Sequence, residues 1–84
     1  MPQLDTEERN ELRDSQFAYV DREGERHLPI HDESHVRNAI ARFNQTEFES
    51  KAAKRRAAEK ILAAAKRYGI DVEPDDEVAK AARG

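Results

Sequence analysis

The sequence has no cysteine and no tryptophan. Without cysteine there is no disulfide staple, no thiolate nucleophile and no thiolate-bound zinc, and the chain suits a reducing compartment. Its three glycines are isolated, so no glycine-rich phosphate loop exists. The five aromatics, Phe17, Tyr19, Phe43, Phe48 and Tyr68, are mostly claimed by a core, which leaves no stacking platform for nucleic-acid bases. No apolar run approaches membrane-spanning length, and residues 1–13 are polar and acidic, the opposite of a secretory signal. These absences point to a cytoplasmic protein that uses no membrane.

What the chain does have is charge: 39% of its 84 residues are Asp, Glu, Lys or Arg. The net charge of −3 conceals a pattern. Residues 1–34 hold ten acids against four bases, residues 35–70 three against nine, and residues 71–84 five against two. A basic middle is therefore flanked by acidic ends. Either the fold neutralises these charges internally, or the basic surface is reserved for a partner.

The length suits one domain over residues 1–84, with an ordered core at about 12–72 and a tail at 73–84 that frays. Asp5 or Thr6 caps a short helix over 5–13. Phe17 and Tyr19 share a strand face, as do Leu28 and Ile30, and Asp21 with Gly24 suits the turn of a hairpin closed by a bulge. Asp32 caps the next helix, on which Val36, Ala39, Ile40 and Phe43 form an apolar stripe. Thr46-Glu47-Phe48-Glu49 reads as a capping box that starts a helix running to Tyr68, before a left-handed cap at Gly69. Ile70 and Val72 fold back over that helix end, and Glu73-Pro74-Asp75-Asp76 opens a last short helix containing Val78. The expected fold is a small α+β domain: a two-stranded hairpin packed on two main helices, with short peripheral helices. Phe17, Tyr19, Leu28, Ile30, Val36, Ile40, Phe43, Ile61 and Leu62 should form its core.

Candidate chemistry is sparse. Ser15, Ser34 and Ser50 have no credible base, and acidic pairs such as Asp75-Asp76 lie where nothing shifts their pKa values. His27, His31 and His35 are evenly spaced, but Pro29 forbids one helix through all three. They fall on a strand, a loop and a helix start, so a zinc site would require those elements to converge and Asp32 or Glu33 to assist. The expectation is no metal, no cofactor and no enzyme activity. The best functional candidates are basic: Lys51, Lys54, Arg55, Arg56, Lys60 and Arg67. At 100° per residue, Arg56, Lys60 and Arg67 fall together opposite the Ile61/Ala65 stripe, while Lys51, Lys54 and Arg55 fall on other sides. Charge wraps the helix and Glu47, Glu49 and Glu59 interrupt it, which suits a solvated face better than a phosphate-tracking row.

From Phe17-Ala18-Tyr19-Val20-Asp21 through Leu28-Pro29-Ile30, Asp32 and His35-Val36-Arg37-Asn38-Ala39 to Ala41-Arg42-Phe43-Asn44-Gln45, the sequence resembles an uncharacterised small domain of bacterial and phage proteins. That domain also occurs joined to proteins of phage head-maturation protease type. Lys66-Arg67-Tyr68-Gly69-Ile70 is similar too. The resemblance brings no established activity and implies an accessory or binding module. Within its pattern, His35 and Asn38 read as structural polar residues tying the hairpin backbone to the helix. The leading expectation is a non-catalytic module that binds a protein partner or itself. The alternative is weak DNA or RNA binding through the basic helix at 47–68.

Overall fold

The computed structural model describes residues 16–83. The helix expected at 5–13 lies outside them. Strand β1 (Phe17–Val20) pairs antiparallel with β2 (Arg26–Pro29), placing Phe17 opposite Pro29 and Tyr19 opposite His27. Asp21 builds the turn between them. Its carbonyl accepts from the Gly24 amide at 2.9 Å, and its carboxylate accepts from the amides of Glu23 and Glu25 at 3.0 and 2.8 Å. Gly24 sits at φ +86°, a region open to glycine because it has no Cβ. Leu28 also takes a positive φ, 60°, at a cost of roughly 1–2 kcal/mol for a residue with a side chain. The kink comes just before Pro29, which has no N–H to lose from the ladder. Leu28 and Ile30 are both buried.

Helix α1 (Glu33–Arg42) begins where expected, with the Asp32 carboxylate accepting from the His35 amide at 2.8 Å. Val36 and Ala39 face inward, and a 3-10 turn over Phe43–Gln45 carries Phe43 to full burial. The capping box does not form. Helix α2 spans Lys51–Arg67, and its N-cap is Ser50, whose hydroxyl accepts from the Ala53 amide at 3.0 Å. Thr46 instead closes the 3-10 turn, its hydroxyl donating to the Arg42 carbonyl at 3.0 Å. Tertiary contacts decide between the two caps. Phe48 lies between Tyr19 and Phe43, with ring centroids at 4.8 and 5.2 Å, and the Glu49 amide donates to the Tyr19 hydroxyl at 3.1 Å. A helix starting at Glu47 would forfeit both.

Ala53, Ala57, Ala58, Ile61, Ala64 and Ala65 are the buried residues of α2. So many alanines favour the helix intrinsically and let neighbours approach closely on more than one side. The helix packs against β1, α1 and a final helix α3 (Glu77–Arg83). It ends as expected: Gly69 takes φ +71°, and the amides of Ile70 and Gly69 donate to the carbonyls of Ala65 and Lys66 at 2.8 and 3.2 Å. That pair of bonds is a Schellman motif. The last helix containing Val78 also forms, capped by the Asp76 carboxylate, which accepts from the Val78 amide at 3.1 Å. Val78 is 0% exposed.

The result is a small α+β domain, with a two-stranded antiparallel sheet and three α-helices among the described residues. Tyr19, Leu28, Ile30, Val36, Phe43 and Ile61 enter one core as expected. Ile40 and Leu62 only pack against it half-buried, and Phe17 is half-buried at its edge, with the Arg26 guanidinium 5.5 Å from its ring centroid. The buried positions expected for these side chains go largely to Ala18, the α2 alanines and Val78.

Candidate functional site

The six basic candidates on α2 divide between two sides of the helix. Lys51, Lys54 and Arg55 meet Lys80 of α3 along a groove of about 390 Å³. Ala52 and Ala81 supply small apolar surface there, and Glu77 is the one acid among the described residues that line it. The Lys54 ammonium lies 5.8 Å from the centroid of the Phe43 ring, a cation–π distance that holds it at the groove. Arg55 donates to Glu59 at 3.3 Å, but both side chains are more than half exposed. An exposed pair of this spacing is worth only about 0.3–0.5 kcal/mol, so Arg55 is readily redirected.

Arg56, Lys60 and Arg67 lie on the other side, next to the hairpin. Arg56 and Lys60 border a shallow depression with Tyr19 and Val20, and Lys60 and Arg67 border another with Ile30 and His31. The Lys60 ammonium donates to the Phe17 carbonyl at 3.2 Å. This cation therefore helps dock β1 onto α2, on a side that the helical wheel had assigned to open solvent.

Two clusters of titratable groups surround the hairpin. In its turn, the His27 ring lies 3.1 Å from Asp21 Oδ2 and stacks on Tyr19 at 5.4 Å. The His27 hydrogen bond, followed by those of the Glu25 and Glu23 amides, holds the Asp21 carboxyl below the ordinary aspartate value. At the start of α1, His35 does not bond a strand carbonyl. Its Nδ1 lies 2.7 Å from Asp32 Oδ1, and its ring lies 4.3 Å from that of His31. The His35 amide and then its ring hold the Asp32 carboxyl low. Asn38 is exposed, and among the described residues no side-chain hydrogen bond ties it to the hairpin.

Other residues hold the hairpin to the helices. The Tyr19 hydroxyl accepts from the Glu49 amide, and the Tyr68 hydroxyl donates to the His31 carbonyl at 2.7 Å. The Glu49 carboxylate also accepts from the Arg22 amide at 3.1 Å. Sequence reasoning assigned these residues no such role, nor did it place Lys80 beside Lys51 and Lys54. The clue for the two tyrosines is that each phenol brings an apolar ring and a polar tip to the edge of a small core.

Among the described residues, no helix is long and apolar enough to cross a membrane. A family model described as a family of unknown function (DUF6582) matches residues 3–75. Neither the curated proteins nor the solved structures offer a match. The chain belongs to this family of unknown function.

Proposed function

Starting from a family that hands on no activity, we propose that this chain is a non-catalytic interaction module whose α2–α3 groove receives an acidic segment of a protein partner. One observation carries the reading: Lys51, Lys54, Arg55 and Lys80, drawn from two helices, rim a single groove in which, among the described residues, only Glu77 opposes them. Charge of one sign around a concavity attracts and orients the opposite sign. The alanines between the cations leave room for a backbone to approach. A second copy of the chain qualifies as the partner too, because residues 1–34 carry a net charge of −6. The cytoplasm is the proposed setting, and the resemblance to domains joined to phage proteins suggests an accessory role beside a larger protein.

Nucleic acid is the less favoured occupant. The bases divide between two sides of α2, Lys60 is engaged with β1, and Glu59 stands between them. The deciding experiment is fluorescence anisotropy with three probes at physiological salt: a polyglutamate peptide, a single-stranded DNA and a single-stranded RNA. The peptide should bind, and the triple variant Lys51→Glu, Lys54→Glu, Lys80→Glu should lose it while keeping its helical circular dichroism. DNA and RNA should bind no tighter than the non-specific range of roughly 10⁻⁴–10⁻⁶ M. Nanomolar binding to either nucleic acid, or no peptide binding, would overturn the reading. Sedimentation over a range of concentrations reports the self-associating form.

A further inference from the structure

Spacing along the chain separates the three histidines onto different elements, yet the fold separates only His27. His31 ends the loop before α1, Asp32 is the N-cap and His35 lies in the first turn, so all three side chains meet at one corner. We propose that His31, Asp32 and His35 form a binding site for one divalent transition-metal ion of zinc type. This departs from the expectation of no metal, and the reason is geometric. Pro29 does exclude a helix through His27, but α1 starts after it, and a helix N-terminus returns its first turn over its own cap.

One ligand atom from each of the three residues lies within 4.8 Å of the others. The two carboxylate oxygens address different rings: Asp32 Oδ1 lies 2.7 Å from His35 Nδ1, and Oδ2 lies 3.7 Å from His31 Nε2. His31 Nδ1 is buried and has no hydrogen-bond partner among the described residues. A neutral imidazole must present one lone pair and one N–H, and buried ring nitrogens are ordinarily satisfied. Nδ1 is not the atom that faces the cluster: Nε2 is the ring nitrogen turned to Asp32, and coordination there would use the Nε2 lone pair with the ring proton on Nδ1. Imidazole nitrogen and carboxylate oxygen are ligands that zinc accepts at about 2.0–2.2 Å. Closing to that distance requires the side chains to draw together, and those of Asp32 and His35 are 51% and 42% exposed, which leaves space for that adjustment.

The backbone beneath the site is already held. The Tyr68 hydroxyl donates to the His31 carbonyl, and the Val36 amide donates to the Asp32 carbonyl at 3.0 Å. Three protein ligands leave a further position for water or an anionic group, the arrangement of an open zinc site. His27 takes no part, being bonded to Asp21 and stacked on Tyr19.

The test is calorimetric titration of the full chain, free of any affinity tag, with zinc chloride, alongside imidazole nitrogen–proton spectra. One zinc per chain should bind with micromolar affinity, shifting the ring signals of His31 and His35 and leaving those of His27 unchanged. His31→Ala and His35→Ala should each weaken binding by more than the roughly 10- to 100-fold that loss of a merely supporting group costs. Asp32→Asn should do the same while keeping the fold, since asparagine caps a helix about as well as aspartate. Absence of binding, binding that survives His31→Ala, or ring shifts confined to His27 would overturn the proposal.

Discussion

The Tyr68 hydroxyl donates a 2.7 Å hydrogen bond to the His31 carbonyl, joining the end of α2 to the loop before α1 across 37 residues of chain. Nothing local demands this bond, and it anchors the corner where His31, Asp32 and His35 meet. Tyr68→Phe removes only the hydroxyl. It should cost about 0.5–1.5 kcal/mol in urea denaturation, the usual net worth of such a bond. An unchanged unfolding midpoint would show that the carbonyl is satisfied equally well by water.

Phe43 and Phe17 provide a contrast in burial. Phe43 is 0% exposed and touches Phe48 and the Lys54 ammonium, whereas Phe17 is half-buried at the edge of the core. Phe43→Ala should cost about 3–5 kcal/mol, and Phe17→Ala clearly less. Thermal denaturation of the two variants ranks them directly. Equal losses would contradict the position given to β1.

The two rival caps of α2 make opposite predictions. Ser50→Ala should lower stability by about 1 kcal/mol, because the Ala53 amide loses its acceptor. Thr46→Ala should do much less, since the Thr46 hydroxyl only back-bonds to the exposed turn at Arg42. Circular dichroism melts of the pair decide the matter. A larger loss at Thr46 would restore the capping box.

Acid should loosen the hairpin through Asp21. Its carboxyl is held below the ordinary 3.8 by the His27 ring and the turn amides. A carboxyl whose pKa is lower in the folded chain than in the unfolded one stabilises the fold fully above the unfolded value. That stabilisation fades as pH falls through the folded value. The melting temperature should therefore drop below about pH 4. Asp21→Asn, which can still form the turn, should show a shallower drop over the same interval. Parallel acid titrations followed by melting temperature would reveal it, and identical slopes would remove Asp21 from the account.

Much of this fold was legible because its signals are local. Asp21 and Gly24 announce the turn, Asp32 announces α1, and Gly69 announces the end of α2, each through its own backbone chemistry. The start of α2 was not legible. Thr46 and Ser50 both look like caps, and the choice between them rests on Phe48 packing against Tyr19, a partner 29 positions away. The core was misjudged at Ile40 and Leu62 for a related reason. Helical periodicity identifies a face, but not how many neighbours press on it, and the alanines of α2 take contacts on several sides. Half of the proposed groove was visible in Lys51, Lys54 and Arg55. Lys80 was not, because only the return of α3 along α2 brings it there. The meeting of His31 and His35 was obscured by reasoning from Pro29, which constrains the chain before α1 and not within it.

Val78 is fully buried although it belongs to the last helix described. During synthesis, which adds about 5–20 residues each second, the hairpin, α1 and α2 emerge before α3 exists. For that interval the nascent chain carries an open apolar strip along α2 and only one wall of the basic groove. The proposed groove and the closure of the core around Val78 are thus completed in the same step, so a chain halted before residue 78 would expose that strip and lack the Lys80 wall of the groove.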